Sequence, residues 1–195
     1  MKIGILGGSF DPIHEGHLTL ARDAQRQFKL DKILFVPAFL SPLKTRNASA
    51  TPAPLRARMV ALALKEEPAF ELSDLEFVQP GVSYTVDTLR KLRRIYPPPS
   101  ELFFIAGADA YEDLKNWKGP EEILKLCEWI VAPRFAHPLP EKLPPRFHAL
   151  KMRPVNISAT EIRKRVGEGK DVSVWLPREV DHLIKRLKIY RAPRP

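Results

Sequence analysis

Cysteine is almost absent: Cys127 is the only one among 195 residues. A lone cysteine excludes an intramolecular disulfide framework and any metal site built on several thiolates. Its surroundings, Leu126–Cys127–Glu128–Trp129–Ile130, predict a buried, inert thiol rather than a nucleophile. Long hydrophobic runs are missing as well. No stretch approaches the roughly 18–20 apolar residues that span a bilayer. The apolar start is broken at once by Gly7–Gly8–Ser9–Phe10–Asp11, which argues against a signal peptide. A cytoplasmic protein with no membrane partner is expected. Glycine is sparse too, at nine residues, and no G-x-G-x-x-G or Gly-Lys-Ser/Thr phosphate loop occurs. There is no internal repeat.

Acidic residues are scarce only in one region. The net charge is +9, with 32 Lys and Arg against 23 Asp and Glu. Residues 1–132 hold 17 of each sign, whereas residues 133–195 hold 15 basic and 6 acidic. Such a region attracts phosphates, on nucleotides, nucleic acid or lipid, or is a solvated surface with no partner. Aromatic residues are not interleaved with its Lys and Arg as base-stacking platforms would require, so no nucleic-acid partner is expected.

What is present alternates between strand-like and helical patterns. Strands are expected at Lys2–Leu6, Ile33–Pro37, Phe70–Leu72, Glu101–Gly107, Trp129–Ala132 and Phe147–Met152. Helices are expected at His17–Phe28, Leu55–Lys65, Thr85–Tyr96, Ala110–Trp117, Glu121–Leu126, Thr160–Val166 and Arg178–Lys188. Residues 38–54 read as loop, and residues 133–154, with six prolines, as an irregular surface connection. This order predicts an α/β protein: a Rossmann-like, doubly wound, mostly parallel sheet with helices on both faces and a small helical C-terminal part. The length suits one domain, 1–195.

Four of the nine glycines fall within the first 16 residues, around the end of the first strand. Gly7 and Gly8 let the backbone turn sharply and approach a ligand closely. In open α/β sheets ligands bind beyond the carboxyl ends of the strands, and a following helix offers free N–H groups to a phosphate. His14 and His17, three apart at that helix start, can face one ligand and donate hydrogen bonds to charge building on phosphate oxygens. A zinc pair would need further ligands, and none is nearby in sequence. Helix capping would explain either histidine alone, but not both behind Gly-Gly-Ser-Phe-Asp-Pro.

The run Gly7–Gly8–Ser9–Phe10–Asp11–Pro12–x–His14–x–Gly16–His17 resembles the signature of the nucleotidyltransferase superfamily with the His-x-Gly-His motif. Ser83–Tyr84–Thr85–Val86–Asp87–Thr88–Leu89, Gly107–Ala108–Asp109 with Trp117, and Ile157–Ser158–Ala159–Thr160–Glu161–Ile162–Arg163 resemble further blocks of the bacterial nicotinate-mononucleotide adenylyltransferases. The resemblance covers residues 3–163 in the family's order. It implies transfer of the adenylyl group of ATP to nicotinate mononucleotide, without a covalent enzyme intermediate. His14, His17 and Lys44 would be catalytic. Gly7, Gly8, Ser9, Phe10, Gly16, Asp109, Ser158, Thr160 and Arg163 would bind ATP, with residues 156–195 completing that site. Ser9, Lys44, Tyr84, Thr85 and Trp117 would hold the mononucleotide, the indole stacking on its pyridine ring.

Mg²⁺ would arrive on ATP, with no metal cage in the protein. Leu43 stands where the family often has His, and Ala159 where many relatives have Ser, so two side-chain contacts are absent. Arg56 could serve the phosphates, although a surface salt bridge is the default expectation. Thr160 alone could be only a helix cap, Asp109 only a cap beyond a strand, and Trp117 only a core residue. Sister adenylyltransferases for nicotinamide mononucleotide or phosphopantetheine are the neighbouring alternatives, and a non-catalytic basic RNA-binding protein the distant one. Oligomeric state is left open, a homo-oligomer included.

Overall fold

The first strand, β1 (Lys2–Gly8), is a near-continuous apolar run, as a strand covered on both faces requires. A computed structural model describes residues 1–42, 51–78, 81–134 and 137–191 of the chain. In it β1 lies at the centre of a six-stranded sheet with β2 (Lys32–Pro37), β3 (Phe70–Leu72), β4 (Glu101–Gly107), β5 (Glu128–Ala132) and β6 (Phe147–Ala149). The strand order is β3-β2-β1-β4-β5-β6, and every pairing is parallel. The mostly parallel sheet expected is therefore parallel throughout its named strands. The chain winds outward from β1 to β3 and then returns to place β4 on the other side of β1. That reversal opens a crevice beyond the ends of β1 and β4, the ligand position of doubly wound sheets.

Helices cover both faces. α1 (Glu15–Phe28), α2 (Ala53–Ala63), α6 (Ala159–Gly167) and α7 (Arg178–Leu187) share one core with Ile33, Phe35, Phe103, Ile105 and Ile130. α3 (Thr85–Ile95), α4 (Ala108–Asp113) and α5 (Pro120–Leu126) pack on the other, against Ile3, Ile5, Leu34, Phe104 and Trp129. The alternation of strand side chains between the two cores is the period of two that a pleated strand imposes. α7 buries Val180, Leu183 and Ile184 at the spacing of a single helix face. Each such burial stabilises by about 1.5–3 kcal/mol.

The expected elements are all present, with shifted ends. α4 starts earlier than the pattern suggested and ends at Asp113, followed by a 3₁₀ turn over Leu114–Asn116 that releases Trp117 in an extended conformation. β6 stops at Ala149 instead of Met152. Cys127 is buried, and burial pushes its thiol up to about 12, so it is inert as expected.

Candidate active site

β1 ends at Gly8, and the chain must cross from its tip to the start of α1 within six residues. Phe10 makes that turn in the left-handed region, φ 47°, a conformation that costs a non-glycine residue about 1–2 kcal/mol. Its ring is 2 % exposed, wedged into the core beside Phe35 and edge-on to the His17 ring at 5.0 Å. Arg56 fixes the turn from below. Its buried guanidinium donates to the carbonyls of Ser9 (2.5 Å), Phe39 (2.9 Å) and Thr51 (2.9 Å). This corrects the expectation for Arg56: it is neither a phosphate ligand nor half of a surface salt bridge.

His14 is the N-cap of α1, and its backbone N–H donates to Nδ1 of His17 at 3.2 Å. An Nδ1 that accepts leaves the neutral ring's proton on Nε2. The two imidazoles stack, with centroids 3.8 Å apart and planes 27° apart. Burial, helped by the Arg134 cation, lowers the pKa of His14 to about 4. His17 is held well below its ordinary value by burial, then by His14 and Arg134. Both rings are therefore neutral hydrogen-bond donors at neutral pH.

These histidines wall a cavity of about 210 Å³ together with Gly16, Gly107, Arg134, Ser158 and Ala159. Ser158 caps α6, accepting from the N–H of Glu161 at 3.2 Å, so the helix points its N-terminal end at this cavity. Thr160 is not the cap; it is the second residue of the helix, and its hydroxyl accepts from Arg163 at 3.2 Å. Arg134 and Asp109 form an ion pair at 2.8 Å over Gly107, where a Cβ would come within 2.4 Å of both side chains.

A second cavity, about 380 Å³, is walled in part by Gly7, Gly8 and Ser9 themselves. Trp117 and Phe104 form an apolar wall, meeting edge to face at 6.0 Å. Tyr84 and Thr85 bring the start of α3 to the same space, and Tyr84 caps that helix without a side-chain hydrogen bond. In its first turn the Asp87 N–H donates to the Tyr84 carbonyl at 3.0 Å, which leaves those of Thr85 and Val86 without intrahelical acceptors at the cavity wall. Lys118 Nζ lies 4.5 Å above the Tyr84 ring and 2.9 Å from Asp87.

Residues 5–165 match the family model described as cytidylyltransferase-like. A protein named "Probable nicotinate-nucleotide adenylyltransferase" from Thermus thermophilus is 47 % identical over 98 % of this chain and 100 % of its own. The chain belongs to this nucleotidyltransferase family. A relative with the same name from a Synechococcus species is 39 % identical over 98 % of this chain and 96 % of its own. Among solved structures, a Plasmodium falciparum nicotinic acid mononucleotide adenylyltransferase complexed with NaAD superposes with a TM-score of 0.82. It shares 21 % identity, covering 97 % of each chain, and a likeness of that kind speaks for the fold alone.

The two cavities divide the expected residues, but not along the expected line: Gly7 and Gly8, expected with ATP, share the Trp117 cavity, and Asp109 lines neither. His14, Gly16, His17 and Ser158 line one; Gly7, Gly8, Ser9, Tyr84, Thr85 and Trp117 line the other. Thr160 and Arg163 stand behind the first cavity, the latter donating to the carbonyl of Asp11 at 2.7 Å. Phe10 contributes no wall; its ring supports His17 from the core. Lys44 lies outside the described residues. Enzymes of this kind typically use a divalent metal, and among the described residues no group of three or more His, Cys, Asp or Glu is placed to hold one.

Three features escaped sequence reasoning. Arg134 follows β5 by one proline, and the rule that ligands bind beyond strand ends pointed to it. Asp11 was read as part of a turn, yet its carboxylate is 4 % exposed and fully engaged. Tyr190 carried no local signal at all.

Proposed function

We propose that the two cavities hold the two substrates of one reaction: ATP on the histidine side and nicotinate mononucleotide on the Trp117 side. The 5′-phosphate oxygen of the mononucleotide attacks the α-phosphorus of ATP. The bond from that phosphorus to the bridging oxygen breaks, pyrophosphate leaves with the electron pair, and nicotinate adenine dinucleotide forms. The observation that carries this reading is that one short segment between β1 and α1 lines both cavities, Gly7, Gly8 and Ser9 the one and His14, Gly16 and His17 the other, so that phosphates bound in each are brought to the same stretch of chain.

His17 and His14 supply N–H donors to the oxygens on which charge develops, and because both are neutral they need no proton from solvent to do so. The start of α6, with Ser158 and Arg163, receives further phosphate charge. Mg²⁺ enters as part of the ATP substrate and neutralises phosphate charge, held by phosphate and water. On the other side Trp117 stacks on the pyridine ring. The open N–H groups at Thr85 and Val86, with the helix dipole behind them, receive the carboxylate that distinguishes nicotinate from nicotinamide.

The test is a comparison of acceptors. With ATP and Mg²⁺, pyrophosphate release is expected at a kcat/KM at least tenfold higher for nicotinate mononucleotide than for nicotinamide mononucleotide, and absent with phosphopantetheine. His17→Ala, folded by circular dichroism, is expected to lose at least a hundredfold in kcat. Equal rates with acid and amide would reject the acceptor assignment, and a near-normal His17→Ala would remove that residue from the chemistry.

A further inference from the structure

The catalytic turn is tied to the far end of the chain. Asp11 Oδ1 accepts a hydrogen bond from the Tyr190 hydroxyl at 2.6 Å, across 179 residues of sequence. Its Oδ2 accepts from the N–H of Thr51 at 3.3 Å, and its backbone carbonyl accepts from Arg163 Nη1 at 2.7 Å. Arg163 Nη2 reaches Thr160 Oγ1 at 3.2 Å. Tyr190 itself is held in the left-handed region, φ 66°, two residues beyond the left-handed C-cap Lys188 of α7. A tyrosine pays for that conformation only where its side chain has a fixed destination.

We propose that Tyr190 is a positioning residue for the phosphate-binding arginine: by occupying Asp11 Oδ1 it keeps the Asp11 carboxylate from capturing Arg163. The reasoning is a count of acceptors. A buried carboxylate must have its oxygens hydrogen-bonded, and losing one partner leaves that oxygen desolvated without compensation. Of the two cations near Asp11, Arg56 is already committed to three carbonyls. Arg163 is one hydrogen bond away, on the carbonyl of Asp11 itself, and shares only one further partner, Thr160. If the Tyr190 hydroxyl is removed, the Thr51 hydroxyl that it now engages and Arg163 can both turn onto Oδ1, and of the two only Arg163 brings the positive charge that a buried carboxylate attracts. Arg163 then leaves the orientation in which its guanidinium serves the start of α6. Burial, together with Asp11, raises the phenol's pKa, so the hydroxyl stays a donor through the working range.

The C-terminal residues thereby act on the ATP side of the site and not on the mononucleotide side, whose cavity is lined by none of Asp11, Arg163 and Tyr190. This inference rests on the assignment of ATP to the histidine cavity. Its test is a double-mutant cycle of Tyr190→Phe with Arg163→Ala, read as ATP affinity by titration calorimetry and as steady-state constants, with melting temperatures in parallel. Tyr190→Phe is expected to weaken ATP binding about tenfold while leaving KM for the mononucleotide within twofold. In the Arg163→Ala background the same change is expected to have no further effect.

Multiplying effects of the two substitutions, or equal losses for both substrates in step with a lower melting temperature, would mean a general structural role and overturn the proposal. So would ATP affinity within twofold of the parent. Should Tyr190→Phe not fold, it is combined with Asp11→Asn, which removes the carboxylate that would capture Arg163: the proposal requires that pair to bind ATP within twofold of Asp11→Asn alone, and a tenfold loss overturns it. The arms keep two failures apart. A protein that binds ATP but adenylylates another acceptor would reject the function and leave the cycle readable. A protein that does not bind ATP would reject both.

Discussion

The stacked histidine pair shows how one environment sets both chemistry and stability. Burial and the Arg134 cation hold His14 neutral down to about pH 4, against 6.5 in an exposed ring. The unfolded chain therefore binds a proton at His14 between pH 6.5 and 4 that the folded protein refuses. Stability contributed by the neutral ring is complete above pH 6.5 and lost as pH falls towards 4, amounting to about 2 kcal/mol by pH 5. His17 acts in the same direction. Urea denaturation at pH 7, 6 and 5 is expected to show this loss in the parent and a flatter profile in His14→Gln. Identical slopes would mean that His14 titrates normally in the fold. At this scale the sequence revealed residues that lie close together in the chain: the His14–His17 spacing, Trp117 and the Tyr84–Thr85 pair. It concealed Arg134 and Tyr190, because their partners, Asp109 and Asp11, come near only through folding.

Elements were legible wherever an apolar period ran against a clear stop. β3 and β4 match the pattern residue for residue, since Glu101–Gly107 is nearly unbroken apolar chain and Phe70–Leu72 is set between Pro68 and the polar pair Ser73–Asp74. The ends of α4 were not legible. There a 3₁₀ turn over Leu114–Asn116 keeps helical spacing in sequence while tightening the backbone. The cap of α6 was misplaced: the pattern put the helix start and its cap at Thr160, whereas Ser158, two residues earlier, makes the bond.

Arg56 was misread for a different reason. At the start of a helix, among polar loops, an arginine is usually exposed, but here α2 sinks its first turn under the catalytic turn. Arg56 is 4 % exposed and is the shared donor for three loop carbonyls. Arg56→Met keeps length and leaves all three carbonyls short of a donor, at about 3 kcal/mol or more. For a chain of this size that is a fall of about 10 °C in Tm. A melting temperature within about 3 °C of the parent would show that water replaces the guanidinium without loss.

At the scale of the whole molecule the excess of positive charge and the C-terminal helices raise one question: whether residues 156–195 form an appendage or part of the domain. The charge by itself suggests an appendage, since the net charge of +9 lies beyond residue 132. Yet among the described residues Arg134 and Arg163 are the cations of that region placed at the site, while much of the rest pairs locally, as Arg165 does with Glu161 and Lys185 with Asp181. The apolar side decides the matter differently. Val172, Leu176, Val180, Leu183 and Ile184 are all under 5 % exposed and belong to the same core as Phe35, Met59 and Ile130. Undocking α7 would expose three of these side chains at about 1.5–3 kcal/mol each, a large part of the 5–15 kcal/mol that holds a domain together.

A unit that cannot leave without that cost should unfold with the rest. Trp175 stacks against Arg165 in the C-terminal part, whereas Trp117 and Trp129 report the opposite face of the sheet. In urea, fluorescence of a Trp117→Phe, Trp129→Phe variant, which retains Trp175 alone, is expected to share its midpoint with the far-ultraviolet circular dichroism of the same variant. An earlier, separate fluorescence transition would make residues 156–195 an independent unit. It would also break the link from Tyr190 to Asp11 before the catalytic turn itself unfolds.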